Sequence, residues 1–85
     1  MSKKEKLLAR LLQRPKDFSY SELKILLSSM GYGEFTKGKT SGSRVAFVNN
    51  KTNHIIRLHK PHPKNILKSY QVDLIIEELK NENLL

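Results

Sequence analysis

The fold is decided by residues 43–59, which read SRVAFVNNKTNHIIRLH. Apolar and polar side chains alternate on both sides of a polar Asn-Asn-Lys-Thr segment, a pattern typical of two antiparallel strands joined by a turn. We therefore predict strands over 43–48 and 54–59 and a turn over 49–52.

The same alternation assigns side chains to the two faces of this hairpin, because successive side chains of a strand point to opposite sides. The side chains predicted to face the core are Val45, Phe47, Ile56 and Leu58. The predicted turn places Val45 near Ile56 and, on the other face, Arg44 near Arg57 with His59 close by. Two arginines facing each other repel unless an anion lies between them. A bound phosphate is one interpretation, and an open solvated face is the other.

Two helices are predicted before the hairpin. The first spans 2–13, begins with a capping box at Ser2 and is stopped by Pro15. The second begins with a capping box at Ser19 and ends at Gly31, a residue type that readily adopts the left-handed conformation. The apolar positions expected in the core are Leu7, Leu8, Leu11, Leu12, Leu23, Leu26, Leu27 and Met30.

A further strand is predicted over 32–37, a loop over 38–42, and a last helix beginning near Asn65 or Ser69. The apolar residues that this helix is expected to bury are Leu67, Tyr70, Leu74, Ile75 and Leu79. The order α-α-β-β-β-α predicts an α+β fold with a three-stranded antiparallel sheet covered on one face by helices. A chain of 85 residues has room for a single domain, residues 1–85.

The net positive charge of the chain arises in one region. Residues 35–72 contain eight Lys and Arg residues but no Asp or Glu, and the rest of the chain has eight basic and eight acidic residues. The whole formal charge of +8 therefore arises in this window. A basic surface kept for solubility is one interpretation, but such a surface rarely excludes acids so completely. Nucleic acid is the commonest partner of such a region.

Several classes of protein are disfavoured by composition. The chain has no cysteine, so it has neither a disulfide framework nor a thiolate metal site. No apolar run approaches the roughly 20 residues of a membrane span, and the N-terminus is too charged for a signal peptide. We expect a soluble, cytoplasmic protein with no cofactor and no metal.

The candidate site residues are chosen by their charge and by the face of the predicted sheet on which they lie. Those assigned to phosphate or RNA binding are Arg44, Arg57, Lys37, Lys39, Ser43, Lys60 and Lys64. The loop over 38–42 could cradle phosphate, but it lacks the full phosphate-loop pattern. His59 and His62 are candidate catalytic residues, because an imidazole can act as acid or base on a ribose hydroxyl. His54, beside the turn, is expected at the surface.

The chain resembles the HicA toxin family, small RNases of bacterial toxin–antitoxin pairs. The family pattern has a helix ending in a Gly-aromatic pair, a basic loop, a Gly-Ser-His strand with a downstream Phe, a strand leading to Pro-x-His or Pro-His-Pro, and a Leu-Lys pair before a closing helix. The corresponding segments here are Met30-Gly31-Tyr32, residues 37–41, Gly42-Ser43-Arg44 with Phe47, residues 58–63, Leu67-Lys68 and residues 70–85. The resemblance implies a double-stranded-RNA-binding-like α-β-β-β-α core over 18–85, with 1–14 as a helical extension. It also implies metal-independent cleavage of mRNA and a HicB-like antitoxin partner.

One departure from the family pattern concerns its catalytic histidine, which follows Gly-Ser. This chain has Arg44 there, and arginine cannot act as a general base at neutral pH, although it can bind phosphate or stabilise negative charge. His62 matches the second histidine of the pattern, and His59 is nearby. The sequence therefore leaves open an RNA-cleaving toxin, a non-catalytic RNA-binding module and a protein-interaction domain. The few aromatic residues lie mostly at core-like positions, which argues against base stacking.

Overall fold

The computed structural model describes residues 2–35, 44–61 and 64–85. In chain order the elements are α1 Lys3–Leu12, α2 Tyr20–Ser29, β1 Tyr32–Phe35, β2 Arg44–Asn49, β3 Ile55–His59 and α3 Ser69–Asn81. The three strands form an antiparallel sheet in the order β1-β2-β3. The predicted α+β class and element order are confirmed.

The register of the β2–β3 hairpin differs by two residues from the predicted one. Val45 lies opposite Leu58 instead of Ile56, and Arg44 lies opposite His59 instead of Arg57. A shift of two residues keeps every side chain on its predicted face, because the side-chain period of a strand is two. The predicted faces are therefore confirmed, while the predicted cross-strand partners are wrong.

The cause of this shift is Asn49, which belongs to β2 and not to the turn. Its backbone N–H donates to the carbonyl of His54 (2.9 Å), which extends the ladder by one pair. Its side-chain oxygen accepts from the backbone N–H of Lys51 (2.9 Å) and Thr52 (3.2 Å) and so organises the loop. Asn53 closes the loop at φ 61°, a left-handed conformation that asparagine tolerates.

The helix boundaries follow local signals. The Ser19 hydroxyl accepts from the Glu22 N–H (3.0 Å), and the Glu22 carboxylate accepts from the Ser19 N–H (3.0 Å), so the predicted capping box is confirmed. Gly31 follows α2 at φ 95°, as predicted. The last helix begins at Ser69, one of the two predicted starts.

The core lies between the helices and one face of the sheet. Its buried apolar residues are Leu7, Leu11, Phe18, Tyr20, Leu23, Leu26, Leu27, Tyr32, Val45, Phe47, Ile56, Leu58, Leu67, Val72, Ile75, Ile76 and Leu79. The prediction was wrong for Leu12, Tyr70 and Leu74, which are 42%, 63% and 41% exposed. In α3, Val72 and Ile76 are buried instead, because α3 packs against β3 and α1 with a face that leaves Tyr70 and Leu74 outside.

Helix α1 is part of this core and not a loose appendage. Leu11 is fully buried within the same cluster as the sheet residues. The Arg10 guanidinium donates to Asp17 and Glu22 (2.6 Å each) and lies 5.2 Å from the centre of the Phe18 ring. These contacts join α1 to the segment that starts α2, so α1 should unfold together with the rest of the domain.

Two carboxylates make stability depend on pH. Partial burial opposes the ionisation of Glu22, but hydrogen bonds from Ser19 and Arg10 outweigh this effect and hold its pKa below the ordinary value. The Tyr20 hydroxyl donates to Glu34, which also pairs with Lys24, and the pKa of Glu34 is lowered as well.

We expect the free energy of unfolding to fall as the pH drops below about 4.5. A carboxyl whose pKa is lower in the folded state contributes stability above its unfolded pKa and loses it as pH falls through its folded pKa. Urea unfolding between about pH 7 and pH 3 measures the effect. The Glu22→Gln, Glu34→Gln variant should show a shallower decline than the parent protein. An equal decline in both proteins would contradict this assignment.

Candidate nucleic-acid interface

One face of the sheet is left open by the helices. The residues whose register and alternation place them on this open face are Gly33, Phe35, Arg44, Ala46, Val48, Ile55, Arg57 and His59. An open depression of about 1020 Å³ runs over them. The name "open face" refers to these eight residues below.

The cations of the open face gather at one end. Arg44 lies directly opposite His59, and Arg57 lies opposite Ala46 on the next outward-facing row. Arg44 and Arg57 are thus diagonal neighbours, a relationship that separates Cα atoms by about 7–8 Å and lets long side chains meet. All three cationic or titratable side chains are exposed. Two guanidinium groups can therefore converge on one anion beside an imidazole.

The other part of the open face is apolar. Gly33, Val48 and Ile55 lie side by side across the three strands. In the adjacent row, Phe35 of β1 lies opposite Ala46 of β2, and Ala46 lies opposite Arg57 of β3. Phe35 is 61% exposed. The open face therefore combines an apolar floor with a cationic end.

No carboxylate belongs to the open face. The nearest acidic residue along β1 is Glu34, which points to the opposite side of the sheet. There it accepts a hydrogen bond from Tyr20 and forms an ion pair with Lys24 (3.3 Å). Burial raises the pKa of Tyr20 and the carboxylate raises it further, so the hydroxyl stays protonated and donates to Glu34. The described residues of the segment 35–72, which has no Asp or Glu, therefore present their positive charge on the open face with no carboxylate of that face beside it.

Lys60 points to the helix-covered side of the sheet, where its charge helps to lower the pKa of Glu34, so it does not add to the open face. Lys60 is exposed and its Nζ lies 5.7 Å from the centre of the Tyr20 ring. Lys64 is exposed and precedes Asn65, whose carbonyl accepts from the Tyr20 N–H (3.0 Å). The Gln71 side chain donates to the His59 carbonyl (2.8 Å) and brings the start of α3 to the same end.

Four of the predicted site residues lie outside the described residues. They are Lys37, Lys39, Ser43 and His62. The structure therefore brings together Arg44, Arg57 and His59 on the open face, and it places Lys60 on the opposite side of the sheet, beside Tyr20. Arg44 and His59 share one face on neighbouring strands, as predicted.

His54 lies in a different environment from His59, and its predicted surface position is wrong. Its Nδ1 is 2.6 Å from the Tyr32 hydroxyl and its Nε2 is 3.4 Å from a carboxylate oxygen of Glu78. Only 14% of its side chain is exposed. These contacts tie β1, β3 and α3 together at the turn end of the hairpin, so His54 is a structural residue.

Comparison with protein families, with curated proteins and with solved structures gives no match for this chain. No helix in the described parts of the chain has the length and apolar character needed to cross a membrane. Within residues 2–35, 44–61 and 64–85, no group of three or more His, Asp or Glu side chains is arranged to hold a metal ion.

The sequence interpretation missed the exposure of Phe35 on the open face. It treated the aromatic residues as mostly core-like, yet Phe35 and Tyr70 are both largely exposed. Strand alternation carried the signal for Phe35. If Tyr32 faces the core, then the side chain three residues later in the same strand must face away from it.

Proposed function

We propose that this protein binds RNA through its open face, as a HicA-like toxin of a cytoplasmic toxin–antitoxin pair, with a HicB-like antitoxin as its protein partner. The observation that carries the proposal is the diagonal Arg44–Arg57 pair on a face without carboxylates. Guanidinium groups bind phosphate oxygens through paired hydrogen bonds, and two of them can hold one phosphate from two sides.

Charge balance supports an anionic ligand at this place. Neither arginine forms an ion pair with a carboxylate in the described part of the chain, where the Arg and Lys residues that do so are Arg10, Arg14 and Lys24. Diagonal like charges in a sheet repel, and a bound phosphate replaces that repulsion with attraction. A chain with a formal charge of +8 also attracts RNA over a distance.

The element order supports the HicA-like part of the proposal. Helix α2, the three strands and α3 have the α-β-β-β-α order that the resemblance implies, with α1 as the additional helix. More specifically, we propose that these elements are arranged as in a double-stranded-RNA-binding domain.

RNA cleavage is a second function, favoured by the direct pairing of Arg44 with His59. In this mechanism His59 takes the proton of a ribose 2′-hydroxyl, and the 2′-oxygen attacks the adjacent phosphorus. Arg44 and Arg57 stabilise the added negative charge, the bond from phosphorus to the 5′-oxygen breaks, and that oxygen takes a proton from water, giving a 2′,3′-cyclic phosphate. The alternative is a module that binds RNA without cleaving it.

The test of RNA binding is its salt dependence. If about four phosphates are neutralised, raising the salt from roughly 50 to 200 mM should weaken binding on the order of 100-fold. Arg44→Ala and Arg57→Ala should each weaken binding and reduce the salt slope without unfolding the protein, because both side chains are exposed. Fluorescence anisotropy with labelled RNA measures both quantities.

Lys80→Ala is the matched control, since it removes an exposed cation from the far end of α3. Its affinity for RNA should stay close to that of the parent protein. A binding constant that does not change with salt would refute the proposal, as would equal losses from Lys80→Ala and the two arginine variants.

A further inference from the structure

The exposed ring of Phe35 is held in place by a regular strand. Its backbone belongs to the β1–β2 ladder, where Phe35 lies opposite Ala46. The preceding residue, Glu34, is anchored on the inner side of the sheet by Tyr20 and Lys24. Because neighbouring side chains of a strand point in opposite directions, this anchor directs Phe35 outward.

The surroundings of the ring leave space for a flat ligand. The neighbour opposite is the small side chain of Ala46, and the next outward-facing row contributes Gly33, Val48 and Ile55. Arg57 of β3 lies opposite Ala46 in the same cross-strand row. Two strand spacings separate Phe35 from Arg57, about 10 Å, and Arg44 lies diagonal to Arg57.

We propose that Phe35 stacks on an unpaired base, and that the open face therefore takes an unpaired RNA strand in preference to a duplex. This inference rests on the proposed RNA binding and names the form of RNA that the face takes. The base lies on Phe35 and the apolar floor, and the phosphates lie towards Arg57 and Arg44. Proteins that bind unpaired strands combine an aromatic platform with a cationic track in this way.

A duplex fits the open face less well. An A-form helix keeps its bases stacked inside and presents phosphates and 2′-hydroxyls to a protein. The row of Gly33, Val48 and Ile55 offers no side-chain hydrogen bonds to those groups and would remove water from them without compensation. The flat faces of unpaired bases do not need hydrogen bonds from the protein, because they are apolar.

Two RNA probes test this inference. One is a labelled strand of about ten nucleotides without self-complementarity, and the other is the same strand annealed to its complement. The parent protein should bind the unpaired strand on the order of 10-fold more tightly. Phe35→Ala should weaken that binding by on the order of 10-fold or more, as loss of one stacked base does, and should leave duplex binding unchanged. Phe35→Tyr keeps the ring and should keep the affinity.

The control is Tyr70→Ala, which removes the other strongly exposed aromatic ring, from α3, a helix that packs on the core-facing side of the sheet. It should not change RNA binding. If Phe35→Ala binds the unpaired strand like the parent while Arg44→Ala binds it weakly, the stacking inference is wrong and RNA binding stands.

Failure of the parent protein to bind either RNA would overturn the proposed function, and the inference with it. Poly-glutamate provides the last comparison. Binding of poly-glutamate as tight as that of the unpaired strand would indicate a face for acidic protein and would overturn the inference.

Discussion

Replacing Phe47 with alanine is expected to lower the free energy of unfolding by about 3–5 kcal/mol. Phe47 is 1% exposed and lies in the central strand of the sheet, between Glu34 of β1 and Ile56 of β3. Its ring centre is 6.0 Å from that of Tyr20, so the side chain joins the sheet to the start of α2. Truncation leaves a cavity that surrounding strands and helices cannot all close.

This loss approaches the total stability of so small a domain, which is on the order of 5 kcal/mol. Urea unfolding followed by circular dichroism measures the loss. Val48→Ala is the control, because it is the next residue of β2, points to the open face and is only half-buried. Its loss should be much smaller. A Phe47→Ala protein that unfolds at the same urea concentration as the parent would contradict the assignment of faces.

Strand alternation was sufficient to predict which side of the sheet each hairpin residue occupies. It was insufficient for the register, because this depended on whether Asn49 paired with His54 or entered the turn. The deciding interactions are hydrogen bonds from Lys51 and Thr52 to the Asn49 side chain, and a run of polar residues does not reveal which member makes them. A turn displaced by one residue moves the partners by two.

The sequence pattern also did not determine which face of α3 is buried in the core. Tyr70 and Leu74 are spaced as one helical stripe, and Val72 and Ile76 are spaced as another. Both stripes are apolar. Packing against β3 and α1 decides between them, and that packing brings together residues far apart in the chain. Helical spacing alone therefore could not exclude Tyr70 from the core.

The candidate site was predictable only where strand geometry determines it. Arg44 and His59 share a face because each occupies an outward position on a neighbouring strand. The surroundings of His54 required contacts with Tyr32 and Glu78, which are separated from it by 22 and 24 residues. No local pattern encodes such contacts, so His54 was assigned to the surface.

The protein purified away from any partner is expected to cleave RNA in EDTA and to leave 2′,3′-cyclic phosphate ends. The physical basis is the Arg44–His59 pair, which places a candidate proton acceptor beside a guanidinium that is chemically able to bind phosphate. A positioned general base contributes typically about 10²–10⁴-fold to a rate, so His59→Ala should lower cleavage by that order while RNA binding changes little. Gel analysis of a labelled RNA gives the rate, and anisotropy gives the affinity.

His62→Ala tests the residue that matches the second histidine of the HicA pattern, and the double variant tests both. Full activity of His59→Ala, His62→Ala would exclude these histidines from the chemistry. An inactive, folded parent protein that binds RNA tightly would favour the binding module. In that case Arg44→His is the decisive variant, since it introduces the histidine of the HicA pattern opposite His59. Cleavage gained by this single change would mean that the fold can position RNA for the reaction, and that the parent protein lacks a base at this position because arginine does not release its proton near neutral pH.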